Sequence, residues 1–297
     1  MKYIEDNNYG ELFFDVSFKK MTTIKIGGTV KTLYVPYSNE SLIKVFKKIL
    51  EEKIPYFIIG SGSNLLVNDI NFDGVLISLK KINNYEVIMD NVIMIASGAK
   101  AMPIIREITK KGYGGLEIFG TIPGTIGGLV YNNAGAYGKT ISDVLICIDY
   151  LDTDGKIRTI SKDHLELKYR SSILKNMNGI ILRAYFTING NSNIDLLNNI
   201  FENKKQNQPI EKNNFGSTFK NNGEIKAWQI IRKLNLQTRN FNDAKISDKH
   251  ANFLINDGNA SFMDMCNLIN YIKEKAKEQL GYDLILEIEI VNEFKNQ

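Results

Sequence analysis

Nine glycines fall between Lys111 and Thr140: Gly112, Gly114, Gly115, Gly120, Gly124, Gly127, Gly128, Gly135 and Gly138. Glycine costs roughly 0.5–1 kcal/mol in the interior of a helix or strand, so such a run serves close backbone approach or turns with positive φ. Glu117 is the only charged residue between the flanking Lys111 and Lys139. Small residues, exposed N–H groups and no cation suit a backbone cradle for a flat, phosphate-bearing ligand. A tightly turned structural loop has the same composition. Gly60-Ser61-Gly62-Ser63-Asn64 forms a second cluster. Its two hydroxyls and its turn amides suit a pyrophosphate, although a polar hairpin reads alike. It is neither GxGxxG nor GxxxxGK[ST], so both common nucleotide fingerprints are absent.

The elements that must position these clusters follow from hydrophobic patterning. Thr32–Val35 is a strand closed by Pro36. Ser38 or Asn39 caps a helix carrying Leu42, Val45, Phe46, Ile49 and Leu50, the stripe of a helix packed on a sheet. Strand Tyr56–Ile59 runs into the Gly60 cluster, so the turn lies at a strand's carboxyl end, where open α/β sheets bind ligands. Gly74–Leu79 is a strand, and Tyr85–Met89 and Val92–Ala96 form a hairpin about Asp90-Asn91. A helix with Pro103 in its first turn runs to Lys111. Strands Val144–Leu151, Lys156–Ile160 and Ile180–Ile188 follow. The asparagine-rich segment Asn189–Asn214 is the best linker candidate, helical in its middle over Ile194–Gln206. Beyond it come strand Phe215–Phe219, helix Ala227–Leu234, a loop into a strand over Ser247–Ile255, a capping box at Ser261 and Asp264, a helix carrying Met265, Leu268, Ile269, Ile272 and Ala276, and a last strand over Leu284–Val291. No internal repeat is present.

A chain of 297 residues with 43% hydrophobic and 24% charged residues suits about two soluble globular domains. The net charge of +4 is dispersed, and Lys44, Lys47, Lys48 and Lys53 read as one wet helix face, so nucleic acid is not an expected partner. No apolar leader and no run of ~18 apolar residues point to export or a membrane. Cys147 and Cys266 make no framework, with Cys147 reading as a buried thiol, and His164 and His250 cannot build a His-rich metal site. The expectation is a cytoplasmic protein with metal-free chemistry.

Seven motifs in order carry a resemblance. Gly60–Val67, Gly114–Gly128 and Asn133–Gly138 resemble the FAD-binding motifs of the UDP-N-acetylenolpyruvoylglucosamine reductases (MurB). Tyr169-Arg-Ser-Ser172, Gly216-Ser-Thr-Phe-Lys-Asn221, Ser247–Phe253 and Leu286-Glu-Ile-Glu289 resemble that family's remaining signatures. The resemblance implies an α+β fold: a two-lobed FAD-binding module of the vanillyl-alcohol-oxidase (PCMH) type plus a smaller α/β substrate-binding domain. The expected division is lobe 1 over 1–80, rejoined by 284–297, lobe 2 over 81–200, and the substrate domain over 201–283. The short path from Tyr169 to Ile180 resembles the family's shorter class. The implied reaction is NADPH-dependent, FAD-mediated reduction of an enolpyruvyl ether on a UDP-sugar, by a monomer.

Residue by residue, the resemblance implies that FAD is held by Gly60, Ser61, Gly62, Ser63, Asn64 and Leu65. It adds Thr121, Ile122, Pro123, Gly124, Thr125, Gly127 and Gly128, then Asn133, Ala134, Gly135, Ala136, Tyr137 and Gly138. Ser217 matches the proton donor. Arg170 matches the catalytic arginine, whose planar fork suits a carboxylate gaining charge. Glu289 matches the C-terminal glutamate; strand alternation puts Glu287 on the same face, and Glu289 is expected to be the one pointing at the site. Lys220, Asn221, His250 and Asn252 are the candidates for the UDP-sugar.

Two departures stand out. Asn222-Gly223 replaces a usual proline, and the loop Gln237–Asp243 lacks the usual glycines, where Asn240 or Asn242 can take left-handed φ instead. Another FAD-linked oxidoreductase of this fold, or a flavin- or UDP-sugar-binding protein without catalysis, are the competing readings. Neither glycine-rich motif holds a histidine, so a histidine-linked covalent flavin there is excluded.

Overall fold

The structure is a computed structural model that describes residues 3–4, 7–223 and 225–294. Strands are numbered in chain order. The first sheet runs β1 (Gly10–Ser17), β2 (Thr29–Pro36), β5 (Phe72–Ile77), β3 (Tyr56–Ile58). β2, β5 and β3 are parallel, and β1 joins antiparallel at the edge. The helix Asn39–Glu51 bridges β2 and β3, capped by the Ser38 hydroxyl, which accepts from the Ser41 N–H at 3.1 Å. Leu42, Val45, Phe46 and Ile49 then fall against Tyr34, Val75 and Ile77. β1 was not expected. Its Phe13 and Phe14 are exposed on an edge, so it lacks the clean alternation of a half-buried strand.

The second sheet is antiparallel throughout, in the order β11 (Ile157–Ser161), β10 (Leu145–Leu151), β12 (Ile180–Thr187), β7 (Val92–Ala96), β6 (Tyr85–Met89). Helix Ala101–Lys110 adds Ile105 and Ile108 to its core. The asparagine-rich segment is not a free linker. Its helix, Ile194–Asn207, is capped by Asn193 and buries Leu197 in the same core. Arg106 binds Asn198 at 2.7 Å, and Glu117 accepts from the Asn193 N–H at 2.9 Å. The helix expected over Ile194–Gln206 is present; low average hydrophobicity hid only its packing, which needs no more than a narrow apolar stripe.

The third sheet runs β13 (Asn213–Ser217), β16 (Phe253–Asn256), β15 (Ala244–Ile246), β14 (Asn240–Phe241), under helices Ala227–Lys233 and Phe262–Leu280. The Ser261–Asp264 capping box forms. Asn242 takes φ +48°, the left-handed turn that a glycine would otherwise supply. Ile24, Ile26 and Leu66 reach into this third core.

The expected last strand over Leu284–Val291 is shorter, because the segment changes partners along its length. Ile285 and Glu287 bond antiparallel to Lys220 and Thr218. Only β17 (Glu289–Val291) is a ladder strand, parallel to β4 (Leu65–Val67).

Candidate functional site

The turn after β3 shows what its glycines are for. Gly62 takes φ +60°, and a Cβ there would land on the Met21 carbonyl oxygen. A Cβ on Gly60 would lie 2.5 Å from the Thr125 hydroxyl. The Ser63 hydroxyl donates to the Pro123 carbonyl at 2.9 Å, which locks this turn to the second glycine-rich stretch. The N–H groups of Ser61, Gly62, Ser63 and Asn64 donate to no acceptor among the described residues. Four successive open amides in one turn make an anion-binding concavity.

The Thr121–Gly138 stretch divides into packing and open glycines. It contains a short helix, Ile126–Tyr131, that sequence reasoning left unassigned. The Gly127 N–H is spent on the Ser97 carbonyl at 2.9 Å, and a Cβ would press on the Ser97 side chain. A Cβ on Gly135 would collide with the Lys139 carbonyl across the hairpin of β8 (Gly135–Ala136) and β9 (Lys139–Thr140). Gly128 is different. Its φ is not positive, and a Cβ would meet only the Thr125 hydroxyl, at 3.5 Å. Neither turn geometry nor protein packing demands glycine there, which fits close approach by a bound group. These features fit a flat, phosphate-bearing cofactor.

Other members of the set serve the protein itself. Asn133 is buried, donates to the Lys168 carbonyl at 3.0 Å and accepts from the Ser142 N–H at 3.0 Å. Its side chain straps the stretch to the loop before Arg170. Thr121 is buried and donates to the Ile118 carbonyl at 2.7 Å. Tyr137 sits exposed at the hairpin tip, its hydroxyl 3.4 Å from Asn203. Ile122, Ala134 and Ala136 line the same stretch, and Leu65 opens β4.

Arg170 takes φ +55°, uncommon for a side chain of its size. Its Nε donates to the Glu287 carboxylate and its Nη2 to the Gly135 carbonyl, the latter at 2.9 Å. Five residues on, Lys175 Nζ meets Glu289 at 2.5 Å. Both carboxylates of the last segment therefore face the arginine loop and divide its two cations. Burial pushes the nearby Tyr131 phenol well above its usual range, helped by the Glu289 charge.

Ser217 ends β13, after Gly216 at φ +80°, where a Cβ would lie 3.9 Å from the Ser63 carbonyl. The Thr23 hydroxyl spans the two turns, donating to the Asn214 carbonyl at 2.6 Å and lying 3.4 Å from that of Gly62. The Ser217 turn thus rests on the open-amide turn. Asn252 is buried, accepts from the Phe219 N–H at 2.9 Å and donates to the Phe219 carbonyl at 2.8 Å. It thereby braces the Ser217 turn. His250 packs between Trp228 and Phe253, and burial lowers its pKa, keeping it neutral. The Asn221 side-chain Oδ1 accepts from the Ala227 N–H at 3.0 Å at the start of a helix. The Lys220 N–H bonds the Ile285 carbonyl at 2.8 Å.

Sequence reasoning missed Glu287's role, Lys175 and Lys204. Half-buried Lys204, on the supposed linker helix, donates to the Thr121 carbonyl at 3.0 Å. Burial, with the Arg170 charge, lowers its pKa to about 8. Only the alternation that pairs Glu287 with Glu289 hinted at any of the three. Among the described residues no group of three or more His, Cys, Asp or Glu is placed to hold a metal.

Residues 208–291 match the C-terminal domain of UDP-N-acetylenolpyruvoylglucosamine reductase, and residues 30–161 match an FAD binding domain. The chain is 35% identical to the UDP-N-acetylenolpyruvoylglucosamine reductase of Caldanaerobacter subterraneus subsp. tengcongensis, over 96% of this chain and 95% of that protein. It is 39% identical to the Clostridium tetani protein of the same name, over 93% and 91%. The crystal structure of UDP-N-acetylenolpyruvylglucosamine reductase from Thermus caldophilus superposes with a TM-score of 0.79 at 26% identity, over 95% of this chain and 98% of that one.

Proposed function

The chain belongs to the UDP-N-acetylenolpyruvoylglucosamine reductase family, and we propose from that membership how its own residues carry the reaction. It is an FAD-containing, NADPH-dependent oxidoreductase that reduces UDP-N-acetylglucosamine enolpyruvate to UDP-N-acetylmuramate, a step of peptidoglycan precursor synthesis. The observation that carries the residue assignment is one segment, Glu287–Glu289. It touches the Arg170 loop, the Ser217 turn and the Gly60–Asn64 turn together.

FAD, when bound, supplies hydride to the methylene carbon of the enolpyruvyl group. The Ser61–Asn64 amides would hold its phosphates, and the open face at Gly128 would admit it closely. Arg170 has five N–H donors, and its two protein bonds leave three for substrate. Those donors take the negative charge that reaches the substrate carboxylate as the double bond is reduced. Glu289 would border that carboxylate. Ser217 Oγ delivers the proton to the carbon beside it, completing addition of hydride and proton across the double bond.

Lys220, Asn221 and Lys204 would meet the UDP-sugar, with His250 contributing its packed, neutral edge. No described helix is long and apolar enough to cross a membrane. A cytoplasmic monomer with no nucleic-acid partner fits a substrate that is a free nucleotide sugar. The functional division is two FAD-binding lobes, 1–80 with 284–297 and 81–207, the helix Ile194–Asn207 staying with the second lobe in place of the expected break at 200, and a substrate domain over 208–283. An anaerobic titration tests the reading. NADPH should bleach the yellow protein, and the enolpyruvyl sugar, but not simple alcohols, should restore the colour. Failure of the enolpyruvyl sugar to reoxidise the reduced flavin, or bleaching of the oxidised protein by a simple alcohol, which gives up hydride instead of taking it, would overturn it.

A further inference from the structure

Arg170 holds a left-handed backbone conformation that residues with a side chain rarely adopt, and it does so on a tight turn where Lys168 and Ser171 bond each other. Something must fix its guanidinium. The contacts that do so come from opposite sides: the Gly135 carbonyl, on the hairpin of the glycine-rich stretch, and the Glu287 carboxylate. The two side chains of the ion pair are only 19% and 15% exposed, so the pair is shielded from the solvent that weakens surface pairs. Glu287 is fixed in turn at its backbone: its N–H donates to the Thr218 carbonyl at 2.8 Å, and its carbonyl accepts from the Asn64 side chain at 3.3 Å.

We infer that Glu287 is the positioning residue for Arg170: it aims the guanidinium so that its remaining donors meet the substrate carboxylate, in register with Ser217. This rests on the role proposed for Arg170. Glu287 touches no reacting atom. It acts by geometry, because its backbone is bonded to the residue next to Ser217 while its carboxylate sets the arginine. The nearby Lys204 adds positive charge, so loss of the Glu287 charge also leaves Arg170 free to swing away from it. A displacement of about 1 Å in such a group can cost about 100-fold in rate.

A double-mutant cycle on the holoenzyme tests it, using Glu287→Gln, Arg170→Lys and both together. Flavin content and NADPH-driven bleaching should match the parent in each. Recolouring by the enolpyruvyl sugar should slow about 10- to 100-fold in Glu287→Gln. Equilibrium binding of that sugar to the oxidised protein, followed by calorimetry, should weaken in parallel. The double variant should be no slower than Arg170→Lys alone, and Glu287→Asp should recover part of the loss. Recolouring within twofold of the parent in Glu287→Gln, or multiplicative losses in the double variant, would overturn the inference. If Arg170→Lys itself is unaffected, the role proposed for Arg170 fails instead. Should Glu287→Gln not fold, the same cycle with Glu287→Asp decides: non-additivity supports the inference, and additivity overturns it.

Discussion

Lys175 and Glu289 meet at 2.5 Å, while the Glu289 N–H donates to the Asn64 carbonyl at 2.9 Å. One glutamate thereby ties the arginine loop to the turn that carries the open amides. Both side chains remain over a quarter exposed, and pairs that wet contribute ~0.2–1 kcal/mol. Lys175→Met is expected to lower stability by less than about 1 kcal/mol in a denaturant titration. Turnover of the enolpyruvyl sugar should fall by more than the stability loss suggests, because Glu289 loses its anchor. A large stability loss with unchanged turnover would show a purely structural pair.

Ser217→Ala should leave FAD content and NADPH-driven bleaching intact. Recolouring by substrate should slow by about 10²–10⁴-fold, the range for losing a positioned acid. Ser217→Cys should recover part of that, since a thiol with pKa about 8.5 is the better acid. Stopped-flow absorbance separates the two steps. Equal slowing of both in Ser217→Ala would refute the proton-donor assignment.

Gly128 and Gly135 should answer substitution differently. At Gly128→Val the new Cβ meets no protein atom but the Thr125 hydroxyl, an ordinary contact at 3.5 Å, within a helix where valine is intrinsically better than glycine. Thermal melts of FAD-free protein should be unchanged, while flavin occupancy drops. Gly135→Val should lower the melting temperature with or without FAD, because the Lys139 carbonyl occupies that space. If Gly128→Val retains full occupancy, the cofactor does not approach there.

Lys204 sets a pH dependence. Its pKa is lowered to about 8 by burial and by the Arg170 charge, against about 10.5 when unfolded. Below pH 8 both states hold the proton and the folded state carries the full penalty of a half-buried ammonium. Between pH 8 and about 10.5 the unfolded state binds more protons, so this residue makes stability rise with pH. Lys204→Met should be more stable than the parent at pH 7, with the difference shrinking above pH 8. Loss of the ammonium should also raise the parent's KM for the anionic sugar as pH passes 8. A flat parent profile that coincides with the variant's would reject the assignment.

The two glycine clusters, most strands, the helix cap at Ser38 and the capping box at Ser261 were legible because each rests on local chemistry. What stayed hidden is long-range. Nothing near Glu287 says that Arg170 will be its partner, and nothing near Asn252 says that it will bracket Phe219. The segment over Asn189–Asn214 was misjudged because composition was weighed above spacing: Leu197 alone commits that helix to the second core. Conversely, the carbonyl collision at Gly135 and the open face at Gly128 are identical letters in sequence.

The partner switch within residues 285–291 has a consequence for how the protein is made. Strand β4 has its described ladder partner only in β17, and Asn64 meets Glu287 across 223 residues of chain. Chains emerge from the ribosome N-terminus first, and pairings this distant close slowly. The first sheet can form early, yet the Gly60–Asn64 turn must wait, half assembled, until almost everything else has been synthesised. Competence to bind ligand then arrives in one late event, and a nascent chain stalled short of Glu287 would carry folded sheets but no arginine anchor.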